Sequence, residues 1–278
     1  MSRPFEIRIH NIPAYAILSH TWGEDEDEVN FDDIKQESGK AKKGYAKIKF
    51  CRDQAARDGL RYFWVDTCCI DKSNNVELTE AINSMFRWYQ SAAKCYVYLS
   101  DVSFNKGWQR SFQKSRWFTR GWTLQELIAS PVVEFFSSEC TLLGNKRSLE
   151  HEVHNITKIP VEVLQGSPPS TYSVEKRISW MTGRQTTRDE DMAYSLLGIF
   201  NVHMPLIYGE GRISALNRLK EEVHRRSNSA LWHLNLERTG TGTDDGNEDL
   251  AWAKRDRDSN DGINLVRTAL FTLYFRFV

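Results

Sequence analysis

Two segments of the sequence place chemically useful side chains directly after apolar runs. Ser19-His-Thr-Trp-Gly23 follows Tyr15-Ala-Ile-Leu18, and Asp66-Thr-Cys-Cys-Ile-Asp71 follows Arg61-Tyr-Phe-Trp-Val65. Such runs predict buried β-strands. In an open parallel sheet, ligands bind beyond the carboxyl ends of the strands, where the strand order reverses. The residues expected at this edge of the sheet are Ser19, His20, Trp22, Gly23 and Asp66.

A third segment pairs an indole ring with a carboxylate. Trp122 and Glu126 lie four residues apart in a stretch that predicts a helix over residues 119–129, so they share one face of that helix. The apolar residues of this helix lie on a different face. A tryptophan beside a carboxylate, away from the core, indicates a surface for a flat ligand. The alternative is that Trp122 packs under a loop and Glu126 is a solvated helix charge.

The other candidates also have structural interpretations. His20 would hydrogen-bond a neighbouring loop, and Asp66 would cap the turn that follows it. Cys68 and Cys69 are typical of buried structural thiols, because adjacent cysteines at a strand end match no peptidase pattern. His151-Glu-Val-His154 has i, i+3 spacing, whereas the helical zinc motif needs i, i+4. We therefore expect no metal site.

The elements that must position these residues alternate between strand and helix in the first half of the chain. Strands are predicted over 15–19, 61–65, 95–99 and 132–136, with helices at 41–58, 78–89 and 119–129 between them. This order implies parallel pairing with crossover helices. The nearly continuous apolar runs imply a sheet covered on both faces. We therefore predict an α/β domain over residues 10–145, an open parallel sheet flanked by helices.

Helical patterns dominate the second half of the chain. Apolar residues recur at helical spacing from Val174, from Met192 and from Leu216. We predict a mainly helical extension over residues 146–230. From about residue 234 the chain is rich in Gly, Asp, Asn and Thr, and its end is apolar again. We predict that residues 231–278 form a polar linker and a short apolar tail that are poorly ordered.

Composition limits the class of protein. The chain has 278 residues with 37 Lys+Arg and 37 Asp+Glu, and this balance argues against binding to nucleic acid, which needs clustered positive charge. The lysines between residues 40 and 49 are expected on the solvated face of a helix. The sequence has no run of about 18 apolar residues, so we expect no membrane span. Its first residues lack a signal peptide's apolar region, and its five cysteines lack CxxC spacing. We therefore expect a cytoplasmic protein.

Five motifs resemble the heterokaryon incompatibility (HET) domain of filamentous fungi. They are Tyr15-Ala-Ile-Leu-Ser-His-Thr-Trp-Gly23, Phe63-Trp-Val-Asp-Thr-Cys-Cys-Ile-Asp71, Arg120-Gly-Trp-Thr-Leu-Gln-Glu-Leu127, Tyr194-Ser-Leu-Leu-Gly-Ile199 and Met204-Pro-Leu-Ile-Tyr-Gly-Glu-Gly211. They occur in this order, and the resemblance covers roughly residues 10–225. It implies a role in non-self recognition, with regulated cell death when unlike fungal cells fuse.

HET domains in turn resemble TIR domains, whose fold is a flavodoxin-like open sheet and whose enzymes cleave NAD+ with a glutamate in a Trp-Cys-x-x-Glu-Leu-like segment. Trp122-Thr-Leu-Gln-Glu-Leu127 is similar, with Thr123 where TIR domains often have cysteine. The resemblance implies that Glu126 is catalytic, holding the ribose and stabilising oxocarbenium character. It implies that Trp122 stacks on the pyridinium ring. The residues implied to shape or bind within the pocket are Ser19, His20, Trp22, Gly23 and Asp66.

Two functions remain open on these grounds. The first is a TIR-like NAD+ glycohydrolase, for which NAD+ is the substrate and no resident cofactor is expected. The second is a non-enzymatic signalling or oligomerisation module that acts through protein partners. The partners implied are a second copy of the chain, or a regulatory NLR-like or other incompatibility protein.

Overall fold

The computed structural model describes residues 12–239, and these residues contain a five-stranded sheet. Its strands are β1 (Tyr15–His20), β2 (Tyr62–Trp64), β3 (Lys94–Tyr98), β4 (Val133–Phe136) and β5 (Leu142–Asn145). Their order across the sheet is β2-β1-β3-β4-β5. β1 pairs in parallel with β2 and β3, and β3 pairs in parallel with β4. The predicted α/β class with an open, mainly parallel sheet is confirmed.

The fifth strand differs from the prediction, which contained four parallel strands. β5 pairs with β4 in the antiparallel direction and forms one edge of the sheet. It has only four residues, includes Gly144 and is partly exposed along its length. A short edge strand of this kind lacks the apolar run by which the other strands are recognised.

Helices connect the strands and make up most of the second half of the chain. Up to residue 145 they are α1 (Phe31–Lys35), α2 (Tyr45–Arg57), α3 (Asp66–Cys69), α4 (Asn75–Ser91), α5 (Trp108–Gln113) and α6 (Thr123–Ala129). After it they are α7 (Glu150–Thr157), α8 (Val161–Leu164), α9 (Val174–Ser179), α10 (Asp191–Tyr194), α11 (Leu197–Phe200) and α12 (Gly211–Thr239). Single 3-10 turns cover Arg116–Thr119 and Pro169–Thr171. The predicted helical extension is confirmed.

Helix α4 illustrates how local sequence sets an element and its packing. Asn74 caps it by accepting hydrogen bonds from two backbone N–H groups of the first turn. Apolar residues at helical spacing then bury one face of the helix. On that face Trp88 packs edge-on against Trp64 of β2, with ring centroids 5.3 Å apart. The capped end and the buried face together hold α4 on the sheet.

The two halves of the chain share one hydrophobic core. Its buried side chains extend from Tyr15 in β1 to Val223 in α12. Helix α11 packs against α4 and α6. A Cβ atom added at Gly198 would lie 2.1 Å from Cβ of Phe86, so glycine is required for this close approach. The division into residues 10–145 and 146–230 stays a prediction, but the second part completes the core around α6.

Helix α12 continues to Thr239, so the backbone of residues 231–239 is helical where a linker was predicted. The rest of the predicted linker and apolar tail, residues 240–278, lies outside the described residues. Within the described part of the chain, no helix is long and apolar enough to cross a membrane.

Candidate functional site

The strand order reverses between β1 and β3. The chain places β2 on one side of β1 and then places β3 and β4 on the other side. In open α/β sheets this reversal creates a crevice at the carboxyl ends of the two strands. Here those ends are His20 in β1 and Tyr98 in β3, and the hydroxyls of Thr21 and Ser100 just beyond them lie 3.5 Å apart. The candidate site therefore lies around this crevice.

Glu126 lies beside this crevice and is hydrogen-bonded to Ser19 of β1. Its carboxyl group is buried, with the residue 6% exposed, and it accepts a hydrogen bond from the hydroxyl of Ser19. The same hydroxyl accepts a hydrogen bond from the indole Nε1 of Trp117, at 2.7 Å. Ser19 therefore connects the 3-10 turn before α6, β1 and Glu126. The structure brings Ser19 and Glu126 into direct contact, as the sheet-edge hypothesis requires.

The environment of Glu126 favours its neutral form. Burial is the main cause that raises its pKa to about 8, and the negative charge of Asp66 adds to it. The hydroxyl of Ser19 and the charge of Arg120 act in the opposite direction. At neutral pH most of the Glu126 carboxyl is therefore protonated. A positive charge placed beside it would draw it back to the carboxylate.

Asp66 has the opposite electrostatic state. It begins α3 directly after β2, and its carboxylate contacts Nε2 of His20 at 3.0 Å and accepts a hydrogen bond from Nε1 of Trp22 at 2.8 Å. Burial acts to raise its pKa, but the hydrogen bond and charge of His20, the charge of Lys72 and the hydrogen bond from Trp22 together outweigh burial and hold the pKa of Asp66 well below its usual range. The pKa of Glu126 is thus raised and that of the neighbouring Asp66 is lowered. Two carboxyl groups with pKa values shifted in opposite directions are typical of acid–base sites.

Trp22 and His20 are held in place by these contacts. Burial leaves His20 only 5% exposed, and the ring of Trp22 has the ammonium of Lys72 at 3.6 Å from its centroid. The guanidinium of Arg120 lies 5.3 Å from the same centroid. The Asp66 carboxylate and these cations therefore fix the loop after β1. The interpretation of Asp66 as a turn cap alone does not account for its contacts with His20 and Trp22.

Gly23 is part of the same loop but participates through its backbone. Its N–H donates to Oε1 of Glu28 at 2.6 Å. Glu28 also forms a buried ion pair with Lys47, whose ammonium contacts the carbonyl of Thr21 at 3.3 Å. The prediction that Lys47 lies on a solvated helix face is wrong, because it is buried beneath this loop. Lys47 lies next to Ile48 in α2, and nothing in the sequence around it indicates an ion pair with Glu28.

Trp122 differs most from the sequence-based hypothesis. It lies half-buried at the start of α6, and its Nε1 donates to Oδ2 of Asp191 in α10 at 3.1 Å. Asp191 also accepts a hydrogen bond from the hydroxyl of Tyr208, at 3.0 Å. The alternative interpretation of Glu126 as a solvated helix charge is wrong, because each residue of α6 from Thr123 to Ala129 is buried. The role of Trp122 as a stacking surface stays a prediction.

Arg184 is a further residue near the site that sequence reasoning missed. It is buried, and its Nη1 donates to the carbonyl of Arg120 at 2.8 Å and to the hydroxyl of Thr123 at 2.9 Å. Burial lowers its pKa to about 10, while the charge of Glu126 acts to raise it. Arg184 thus anchors the start of α6 from the second half of the chain. Sequence reasoning also missed Trp117. Neither its hydrogen bond to Ser19 nor the contacts of Arg184 follow from spacing along the sequence.

Comparison with known proteins identifies the family. The family model described as heterokaryon incompatibility protein (HET) matches residues 15–107. The chain is 62% identical over 219 residues to vegetative incompatibility protein HET-E-1 of Podospora anserina. That alignment covers 76% of this chain and 16% of the relative, so the chain spans a small part of that protein. The search of solved structures found no match. The chain therefore belongs to the heterokaryon incompatibility (HET) family.

Proposed function

We propose that this chain is an effector domain in fungal non-self recognition and triggers regulated cell death by cleaving the nicotinamide–ribose bond of NAD+. Family membership and the relative named as a vegetative incompatibility protein support the biological role. The chemistry is supported by one observation above all. A buried carboxyl group, Glu126, is hydrogen-bonded to Ser19 at the crevice between β1 and β3.

The reaction suits a carboxyl group in this environment. The bond between ribose C1′ and the pyridinium nitrogen breaks, and nicotinamide leaves as a neutral ring with the bonding electron pair. C1′ gains oxocarbenium character, and water adds to it with loss of a proton, which gives ADP-ribose. No strong general acid is needed for the leaving group. A nearby carboxylate stabilises the developing positive charge and holds the ribose hydroxyls.

Because the pKa of Glu126 is raised, its ionisation state would change when NAD+ binds. In the free protein the group is largely neutral at pH 7, since its pKa is about 8. The cationic pyridinium favours its ionised form, so binding of NAD+ would shift Glu126 toward the carboxylate. Ser19 donates to that carboxylate and holds its orientation. The ionised Asp66 holds His20 and Trp22 at the rim of the crevice.

A second candidate function is favoured by the low exposure of Glu126. The residue is 6% exposed and its carboxyl group is already hydrogen-bonded within the protein, which is also the state of a structural group. In this alternative the domain is a non-enzymatic module, and death follows from its assembly with a second copy or with another incompatibility protein.

The test uses purified protein at high concentration with NAD+, and measures released nicotinamide by liquid chromatography. Release is expected from the wild type and is expected to be lost in Glu126→Gln. Glu134→Gln is the matched control, because Glu134 is a partly buried glutamate in β4 that pairs with Lys94. Robust release by Glu126→Gln would contradict the catalytic assignment. Killing of cells by Glu126→Gln at wild-type level would favour the non-enzymatic module.

A further inference from the structure

A concave feature lies away from the candidate site around Glu126. It is a cleft of about 350 Å³ between the C-terminal half of α4, the 3-10 turn Pro169–Thr171 and the region of α11. None of the site residues discussed above lines it. Its size is at the lower end of the range for small-molecule sites. The cleft therefore needs its own explanation.

Two arginines give the walls of this cleft a positive charge. Arg87 projects from α4 and Arg177 from α9, and His203 lines the cleft after α11. The pKa of His203 is lowered, first by partial desolvation and then by the charges of Arg87 and Arg226, so this residue adds no positive charge at neutral pH. Lining residues include no aspartate or glutamate. The acidic group whose charge acts on Arg177 is Glu175, which is exposed on α9 and does not line the cleft.

Both arginines have donors that the protein leaves unused. The Nε atoms of Arg87 and Arg177 are buried and have no hydrogen-bond partner. Arg87 contacts the hydroxyl of Ser84 through Nη2 at 3.3 Å, and Arg177 contacts the carbonyl of Ile199 through Nη1 at 3.3 Å. Within the described residues neither forms an ion pair. Each guanidinium uses only one of its two Nη atoms in these bonds, so the other Nη is left to an acceptor in the cleft.

Aromatic rings provide the apolar part of the same cleft. The guanidinium of Arg177 lies 4.3 Å from the ring centroid of Phe200, which holds it in a defined orientation. Phe86 lines the wall beside Gly198. An arginine held over a ring presents its remaining N–H donors as a fork, and this geometry matches a phosphate. The rings offer a surface for a planar group attached to that phosphate.

We propose that this cleft binds a small phosphorylated molecule of nucleotide size, with Arg87 and Arg177 holding its phosphate group and Phe86 contacting its apolar part. This site is separate from the crevice around Glu126, and its existence does not depend on NAD+ cleavage. Two sources of the anion share this chemistry, a nucleotide and free phosphate, and the experiment below separates them.

The test is isothermal titration calorimetry on the whole chain, with AMP, adenosine and inorganic phosphate as probes. AMP is expected to bind and adenosine is expected not to, because adenosine lacks the phosphate. Arg87→Gln and Arg177→Gln are each expected to weaken AMP binding roughly ten-fold or more, the loss typical of a charge-assisted hydrogen bond. Arg110→Gln is the matched control, since Arg110 is an exposed arginine of α5. Inorganic phosphate binding as tightly as AMP would assign the site to free phosphate.

A second variant leaves the two half-buried arginines unchanged. Ser170 is exposed at the rim of the cleft, so Ser170→Glu adds a negative charge there without removing a packed group. It is expected to weaken AMP binding in a fold that circular dichroism finds unchanged. The proposal is overturned if AMP does not bind at millimolar concentration, if adenosine binds equally well, or if Ser170→Glu and both arginine variants leave the affinity unchanged.

Discussion

Ser19 and Glu126 are hydrogen-bonded across a separation of 107 residues, and this contact joins strand β1 to helix α6. The hydroxyl of Ser19 has two neighbours at once, since it donates to Glu126 and accepts from Trp117. One small side chain thus positions a carboxyl group at the carboxyl end of the sheet. The contact links the fold to the proposed chemistry, because parallel strands bring their carboxyl ends to this edge.

Ser19→Ala is expected to destabilise the protein and to raise the pKa of Glu126 further. The substitution leaves the buried N–H of Trp117 without its acceptor, which costs about 1–3 kcal/mol, and removes one of the hydrogen bonds to Glu126, which keeps its contact with Tyr89. Urea unfolding measures the loss, and Ser111→Ala in α5 is the control because Ser111 is exposed. Equal stability of the two variants would show that the Ser19 hydroxyl is dispensable.

The titration of Glu126 is expected to make stability depend on pH. Folding raises its pKa from 4.5 to about 8, so the folded state holds this proton more tightly than the unfolded state does. The stability that this proton contributes is complete below about pH 4.5 and is lost as the pH rises to about 8. Glu126→Gln cannot titrate and lacks this dependence. The free energy of unfolding of the wild type, relative to Glu126→Gln, is expected to fall by an amount on the order of a few kcal/mol across that range.

That comparison is made by urea unfolding at several pH values between 4.5 and 9 for both proteins. The remaining groups titrate alike in both, so the difference between the two curves isolates Glu126. A difference that stays constant with pH would mean that Glu126 is ionised in the folded protein at neutral pH. In that case burial raises the pKa of Glu126 less than its enclosed position indicates.

Asp66→Asn is expected to lower the pKa of Glu126. The negative charge of Asp66 is the second cause, after burial, that raises this pKa. The amide removes the charge and keeps a similar shape, so the pH-dependent difference between the Asp66→Asn protein and its Glu126→Gln derivative should have its midpoint at lower pH. An unchanged midpoint would show that the two carboxyl groups do not interact.

Four strands could be predicted from sequence because each is a buried apolar run between helical patterns. Their ends then located Ser19, His20 and Asp66, since parallel strands place their carboxyl ends together. The contact between His20 and Asp66, at 3.0 Å, lies where this reasoning put it. Fold topology thus brings together residues that are far apart in the sequence.

The surroundings of Glu126 could not be predicted in the same way. Helical periodicity divides α6 into apolar and polar faces, and it assigns the polar face to solvent. In the structure the second half of the chain covers that face. Arg184 donates a hydrogen bond to Thr123 at the start of α6, and Asp191 accepts one from Nε1 of Trp122. Periodicity distinguishes apolar from polar positions, but it does not reveal whether a polar position faces water or another helix. Lys47 illustrates the same limit, since its partner Glu28 lies in a loop.

Lys47→Ala is expected to destabilise the protein strongly. The substitution leaves the buried carboxylate of Glu28 without its counterion, which costs about 3–5 kcal/mol when one member of a buried pair is removed. Lys43→Ala is the matched control, because Lys43 forms an exposed pair with Asp27 and little change is expected there. Urea unfolding measures both. A small effect for Lys47→Ala would mean that this ion pair contributes little to stability.

Gly198→Ala tests whether the helical extension is packed against the α/β half as closely as the structure indicates. The added Cβ would lie 2.1 Å from Cβ of Phe86, so α11 or α4 must move, at a cost of roughly 1–3 kcal/mol. Phe86→Ala alone is also destabilising, because it removes a ring packed against the core. The double variant relieves part of the clash, because Cγ and Cδ2 of Phe86, which would lie 2.3 and 2.6 Å from the added Cβ, are gone while Cβ of residue 86 remains. Its loss of stability in urea unfolding should therefore be smaller than the sum of the two single losses. Strict additivity would mean that the two positions do not touch, because only neighbouring residues couple in such a cycle.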